Sequence, residues 1–129
     1  MNPTDRKYSR EHEWIKLEEG STGLVGITHH AQGQLGDVVY LDLPSPGTRL
    51  QQHAKLGEIE SVKAVSDIFS PITGEIVEVN QNVMDQPEVV NEDPYGKGWL
   101  LRVNAENPAE MDNLLSAEQY QAFLAENSH

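Results

Sequence analysis

Lys63 is the residue whose setting most strongly suggests a chemical role. It stands between Val62 and Ala64, and two carboxylates flank it in the chain, at Glu60 and Asp67. An ordinary lysine amine is mostly protonated at neutral pH and is a poor catalyst by itself. A lysine between small residues would nevertheless be accessible to a modifying enzyme. By residue type alone, a solvated turn lysine remains the simpler interpretation, because exposed lysines are the norm.

The other residue types do not form a recognisable catalytic set. The sequence has no Gly-rich phosphate loop of the Walker type and no Gly-x-Ser-x-Gly elbow. Because no His-x-x-x-His pair or cysteine is present, we predict no metal site. The 21 acidic residues offer no single general acid/base pair. The histidines considered are His12, His29, His30, His53 and His129.

Composition limits the class of protein. A chain of 129 residues is long enough for one domain with a real core. Its formal charge of -12 opposes binding to nucleic-acid phosphates and anionic lipid surfaces. It lacks cysteine, a long apolar run and a signal or transit pattern. We therefore expect a cytoplasmic bacterial protein, monomeric, whose partners are proteins or small molecules.

Most of the chain predicts short β-strands. Segments 55–61 and 64–70 surround Lys63 and can pair as a hairpin with this lysine at its tip. The run 37–43 is rich in β-branched and aromatic residues and predicts a central strand. Thr28 and Gly36 are suitable caps for a short helix over 29–35. Segment 82–94 predicts at most one helical turn.

The end of the chain predicts two short helices. Asn107 followed by Pro108 is a helix-start arrangement, and Ser116 with Gln119 forms a capping box. Their apolar residues are too few to form a separate core, so we expect the helices to pack on the sheets. We therefore predict one domain over residues 1–129, with a β-rich core over about 7–105 and the helices over 106–127.

The stretch from Gly57 to Asn80 closely resembles the lipoyl-attachment region of the glycine cleavage system H protein family. The resemblance extends over about residues 7 to 125 and is therefore not confined to one motif. Further segments similar to the family, in the same order, are His12-Glu13-Trp14, Gly26-Ile27-Thr28, Ala31-Gln32, Leu35-Gly36-Asp37, Asp42-Leu43-Pro44, Asn91, Pro94-Tyr95 and Gly98-Trp99.

The resemblance implies a non-catalytic shuttle with lipoate joined by an amide bond to Lys63. Such a carrier takes an aminomethyl group from glycine decarboxylase, the P protein, to the tetrahydrofolate-dependent aminomethyltransferase, the T protein. Dihydrolipoamide dehydrogenase, the L protein, then reoxidises the dithiol. A lipoylating enzyme is the fourth implied partner. The implied fold is a flattened barrel or sandwich hybrid of two antiparallel sheets, with the lipoyl lysine on a protruding hairpin and short C-terminal helices.

The resemblance also assigns roles to other residues. Glu13 and Asp67 match the positions expected to hold the cationic amine of the loaded arm in a cleft, although both could be plain surface acids. Recognition by the modifying enzyme is expected to involve Glu60, Ser61, Val62 and Ala64.

The sequence departs from the family pattern at one position, and two alternative functions remain open. Position 29 is commonly acidic in the family and is His29 here, which affects a surface contact or a helix cap. A lipoyl or biotinyl carrier domain of another complex would also present a hairpin lysine, but the flanks of Lys63 and the C-terminal helices disfavour it. A scaffold, or a relay of lipoyl groups to other proteins, is the second alternative.

Overall fold

The computed structural model describes residues 2–126. His129 and the last residue of the predicted helical segment, residue 127, lie outside this range. The strands are β1 (Lys7–Tyr8), β2 (Glu13–Leu17), β3 (Thr22–Ile27), β4 (Val38–Asp42), β5 (Arg49–Leu50), β6 (Lys55–Ser61), β7 (Val65–Phe69), β8 (Gly74–Val79) and β9 (Leu101–Ala105). The α-helices are α1 (His29–Leu35), α2 (Gln81–Asp85), α3 (Val89–Glu92) and α4 (Ala117–Glu126), with a 3-10 helix at Pro108–Asn113.

The strands form two sheets, as predicted. One has six strands in the order β1-β2-β3-β9-β8-β5, and the other has three in the order β4-β6-β7. Every neighbouring pair is antiparallel. Within the described residues both sheets have open edges, so they do not close into a barrel. The mainly β fold with short helices is therefore confirmed.

One apolar core joins the two sheets. Ile15 and Ile76 of the six-stranded sheet lie in the same buried cluster as Leu41, Ile59 and Ile68 of the three-stranded sheet. Full burial of such a side chain contributes about 1.5–3 kcal/mol. This core holds the two sheets together, and it anchors the hairpin of β6 and β7 through Ile59 and Ile68.

A second buried cluster attaches helix α4 to the six-stranded sheet. The rings of Tyr8 and Tyr120 are stacked with centroids 4.8 Å apart, and Trp14 completes the cluster. The predicted capping box is present, since Gln119 N–H donates to Ser116 Oγ and Ser116 N–H donates to Gln119 Oε1. Helix α4 therefore packs on the six-stranded sheet.

Strand β4 differs from the prediction, because it lies at an edge of the three-stranded sheet and not at its centre. Strand β6 is central and pairs with both β4 and β7. A register shift between Val38 and Tyr40 interrupts the alternation of buried and exposed residues. As a result Val39 and Tyr40 are both exposed. The apolar richness of this run reflects surface residues as well as core residues.

Segment 82–94 contains more helix than predicted. Asn80 caps α2 by accepting a hydrogen bond from the N–H of Asn82. Each helix contributes one fully buried residue to the core, Val83 in α2 and Val90 in α3. Helices of four or five residues span little more than one turn, so they leave no periodic apolar pattern in the sequence.

Candidate functional site

The candidate site is built around the turn between β6 and β7. Ser61 N–H donates to the carbonyl oxygen of Ala64 at 2.8 Å, which closes the hairpin and leaves Val62 and Lys63 as the two connecting residues. Both connecting residues are exposed. The structure thus places Lys63 at the tip of a hairpin, in agreement with the pairing expected from the sequence.

The side chain of Ser61 fixes the backbone of this tip. Its Oγ accepts hydrogen bonds from the N–H groups of Lys63 and Ala64, each at 3.1 Å, and Ser61 itself is buried. The usual two-residue hairpin turns need a positive φ, which neither Val62 nor Lys63 has. The turn therefore differs from the common two-residue hairpin turns. The Ser61 hydroxyl stabilises it by accepting hydrogen bonds from two backbone N–H groups.

The tip also rests on the segment that follows helix α1. Val62 N–H donates to the carbonyl oxygen of Asp37 at 3.0 Å. Asn91 holds the same segment from the other side, because its Nδ2 donates to Gly36 O and its Oδ1 accepts from the N–H of Val38, both at 2.8 Å. Helix α3 is thus connected to the lysine tip through three consecutive residues.

Gly36 has two functions at this point. Its φ of 79° ends helix α1 in a conformation that glycine adopts at little cost. The side chain of Lys63 also lies directly against it, since a Cβ atom at position 36 would be 2.9 Å from Lys63 Cε. The lysine stem therefore follows the end of α1 while its residue remains exposed.

A cleft of about 320 Å³ lies next to the tip, between helix α1 and strand β7. Ala64 and Val65 line it near Lys63, and Glu13 of strand β2 also contributes to its wall. Its apolar lining residues include Ile27, Leu35, Ile59 and Ile68. The cleft therefore combines hydrocarbon walls with a buried carboxyl group, close to an accessible amine.

Glu13 is only 2% exposed and is held at both oxygens. Its Oε1 accepts from Ser9 Oγ at 2.6 Å, and its Oε2 accepts from the N–H of Phe69 at 3.2 Å. Burial raises the pKa of Glu13 to about 8, although these two hydrogen bonds act in the opposite direction. Glu13 can therefore take up or release a proton near neutral pH.

Asp67 lines the same cleft but has a different environment. Its side chain is about half exposed, and its Oδ1 lies 3.2 Å from the Nζ atom of Lys55. Lys55 also contacts Glu58, at 2.7 Å. The structure thus brings the two predicted carboxylates to one cleft, Glu13 buried and Asp67 paired at the surface.

The four residues predicted to guide modification lie in different environments in the structure. Ser61 is buried and acts on the backbone, whereas Ala64 lines the cleft. Val62 is exposed at the tip, and Glu60 lies on the outer face of the three-stranded sheet between Tyr40 and Val65.

Sequence reasoning missed a pair of histidines in the cleft wall. The rings of His12 and His30 have centroids 4.6 Å apart, and a 2.7 Å hydrogen bond joins His12 Nδ1 to Tyr120 Oη. Burial, followed by the charge of His30, lowers the pKa of His12. His12 has a φ of 75°, which no motif in the sequence indicates. Asn91 was noted only as part of a resemblance.

His29 and His53, the other histidines within residues 2–126, give no sign of a metal centre. Among residues 2–126, no group of three or more His, Asp or Glu side chains is arranged to hold a metal ion. His29 is exposed, and the cap of helix α1 is provided by Thr28, which accepts from the N–H of Ala31. The departure at position 29 therefore leaves the helix cap intact.

The raised pKa of Glu13 predicts a pH-dependent stability. Because the folded carboxyl has a pKa of about 8 against an ordinary value of 4.5, the folded state binds this proton more tightly than the unfolded state. The free energy of unfolding should therefore fall as the pH rises between these values. Between about pH 5 and pH 8 the Glu13 carboxyl should lower the free energy of unfolding of the parent protein by on the order of 3 kcal/mol, and Glu13→Gln should not show this decrease.

Urea unfolding at a series of pH values measures this difference. Glu75→Gln, an exposed substitution on β8, is the matched control and should follow the parent protein. Parallel curves for the parent and Glu13→Gln would contradict the interpretation.

Comparisons with known proteins agree with this arrangement. The profile of the family described as "Glycine cleavage H-protein" matches residues 6–127. The glycine cleavage system H protein of Symbiobacterium thermophilum is 54% identical over 124 residues, covering 96% of each chain. That of Carboxydothermus hydrogenoformans is 52% identical over 124 residues, covering 96% of this chain and 95% of the relative.

A solved structure has the same fold. The crystal structure of a glycine cleavage system H protein from Mycobacterium marinum matches with a TM-score of 0.85 and 38% sequence identity. The match covers 99% of this chain and 100% of that one. Profile, relatives and structure all extend over nearly the whole sequence, and the chain therefore belongs to the glycine cleavage H-protein family.

Proposed function

We propose that Lys63 is the residue of this chain that carries the lipoyl group. The observation that carries the proposal is an exposed lysine on a side-chain-supported hairpin tip, beside a cleft that contains a buried carboxyl group. The exposure of the tip suits access by a modifying enzyme. The hydrogen bonds that Ser61 Oγ and the carbonyl oxygen of Asp37 accept from the tip suit presentation of the lysine in a defined orientation.

The chain functions as the H protein of the glycine cleavage system. Members of this family are non-catalytic carriers with covalently attached lipoate. The protein carries an aminomethyl group from glycine decarboxylase to the tetrahydrofolate-dependent aminomethyltransferase, and dihydrolipoamide dehydrogenase reoxidises it. The family match favours this role over that of a carrier domain from another complex. A relay of lipoyl groups would use the same lysine.

The residues around the tip fit a lipoyl group. When attached, it supplies a dithiolane ring that can accept and release a one-carbon unit. The apolar walls of the cleft suit its hydrocarbon chain, and the volume of about 320 Å³ leaves room for it. The lysine stem adds rotatable bonds, and tethering raises the local concentration of the reactive group at a docked partner.

Glu13 and Asp67 are proposed to hold the cationic amine of the loaded arm. Glu13 is the stronger partner, because it is desolvated and a charge-assisted hydrogen bond gains strength in such a site. A nearby cation favours the ionised carboxylate, so docking of the amine would release the proton that Glu13 binds below about pH 8. Asp67 already forms an ion pair with Lys55 and therefore contributes less to holding the amine.

The modifying enzyme is proposed to read Glu60, Val62 and Ala64 directly, since these residues are exposed. Ser61 is buried, so its contribution is to hold the tip in the recognised conformation. We further place the protein in the bacterial cytoplasm as a single-domain monomer, in line with its bacterial relatives. Among residues 2–126, the helices are too short or too polar to cross a bilayer.

Intact mass spectrometry after native expression tests the attachment site. The parent protein should gain the mass of one lipoyl group, and Lys63→Arg should not, because the guanidinium group is not a nucleophile for acylation. Lys97→Arg, which alters a lysine remote from the tip in the chain, is the control and should be lipoylated normally. A lipoyl mass on Lys63→Arg, or a biotin mass on the parent, would refute the proposal.

The lifetime of the loaded protein tests the two carboxylates. Glu13→Gln should shorten the lifetime about tenfold, because losing a buried charge-assisted hydrogen bond removes about 1.5 kcal/mol or more of protection. Asp67→Asn should have a smaller effect, and Glu75→Gln none. Loss of the aminomethyl mass is followed over time on fully lipoylated proteins. Unchanged lifetimes in both cleft variants would remove these residues from the site.

A further inference from the structure

Exposed apolar side chains are concentrated around Lys63. Among the described residues five large hydrophobic side chains are exposed, and four of them lie at one end of the three-stranded sheet. We call these four the tip patch: Val39, Tyr40, Val62 and Val65, which are 48%, 56%, 67% and 59% exposed. The fifth, Val77, lies on β8 of the other sheet. Clustered exposed hydrophobic residues are typical of interaction sites.

The strand register explains how the patch is assembled. Glu60 on the central strand β6 pairs with Tyr40 on β4 and with Val65 on β7, so the three side chains form one row on the outer face. The bulge at Val39 turns a second apolar residue outward. Bulges that redirect a side chain in this way are over-represented near functional sites.

The surroundings of the patch are acidic. The next row on the same face contains Asp42, Glu58 and Asp67, directly paired across the three strands. Together with Glu60 this face carries four carboxylates, and the ammonium group of Lys55 is already engaged by two of them. A complementary partner therefore has an apolar centre surrounded by lysine and arginine.

The reach of the lysine indicates which partner needs this surface. Before modification only the side chain of Lys63 can enter an active site, and its stem lies against Gly36 at the foot of the tip. An enzyme that acylates Nζ must therefore come into direct contact with the residues around the tip. An enzyme that acts on the dithiolane ring meets the end of a much longer arm and can remain farther away.

We propose that the tip patch and its acidic border form the docking surface of the lipoylating enzyme. The inference rests on the proposed role of Lys63. In the modification step Nζ attacks the carbonyl of an activated lipoyl donor, an acyl-adenylate or a thioester. An amide bond forms, the bond to the activating group breaks, that group leaves with the electron pair, and the amine proton passes to a base of the enzyme.

The test compares two enzymes on the same variants. Val39→Thr/Tyr40→Thr, on the part of the patch that does not line the cleft, should lower kcat/KM for lipoylation about tenfold, which corresponds to about 1.4 kcal/mol of lost contact. Val77→Thr, an equally mild change at the fifth exposed hydrophobic residue, should leave it unchanged. After complete lipoylation, reoxidation by dihydrolipoamide dehydrogenase should proceed at the parent rate in all three proteins.

Binding of the unmodified proteins to the lipoylating enzyme gives a readout independent of turnover. The affinity should fall with the double variant and with rising salt, and Glu60→Gln should weaken the salt dependence. Urea unfolding checks that the exposed substitutions preserve the fold.

Three results would overturn the assignment. An unchanged lipoylation rate in the double variant would show that the patch is not read, and an equal loss of lipoylation and reoxidation would make it a general docking face. A dimer in analytical ultracentrifugation that the double variant abolishes would assign the patch to a second copy of the chain. A lipoyl mass on Lys63→Arg would instead refute the proposed function, whatever the double variant does.

Discussion

The hydrogen bonds of the Ser61 hydroxyl are the contact on which the site depends most. A lysine on an unsupported two-residue turn would sample many backbone conformations, and ordering such residues costs about 1–2 kcal/mol each. Ser61 Oγ accepts from two N–H groups of the tip, and Asp37 accepts from a third. Because Asn91 anchors the residues on both sides of Asp37, the tip is connected to the packed core.

The cleft beside the tip contains a group whose burial is unfavourable when it is charged, the carboxyl group of Glu13. Glu13 is removed from water with two hydrogen bonds and no cationic partner among those contacts. A carboxyl group in such a site is neutral until a cation arrives. A cationic cargo would supply the missing charge, which links the stability of the fold to the task of the carrier.

Local signals made much of the fold predictable. Thr28 and Gly36 bounded α1, Ser116 and Gln119 marked the start of α4, and the strands around Lys63 followed from their composition. Each of these features depends on residues within one element. The edge position of β4 and the bulge at Val39 depend on pairing with β6, which is distant in the sequence. Neither could be inferred from a periodic pattern.

The candidate site was predictable only in part, for the same reason. Lys63 and Glu13 were assigned by resemblance, and the structure adds physical reasons why they suit the roles proposed for them. His12 has a positive φ that no sequence motif indicates. Its hydrogen bond with Tyr120 joins residues from opposite ends of the chain, so it could not be inferred from a local pattern either. Ser61 was expected to be read by an enzyme, and its burial and its hydrogen bonds to the tip favour an effect that passes through the backbone.

The most direct test of this account is the rate of lipoylation of Ser61→Ala. If the hydroxyl fixes the tip, losing its hydrogen bonds at about 1 kcal/mol each should lower kcat/KM about tenfold or more. Ser45→Ala, an exposed serine in a different turn, should be lipoylated at the parent rate. A Ser61→Ala protein lipoylated as fast as the parent would contradict the claim that the tip must be held in place.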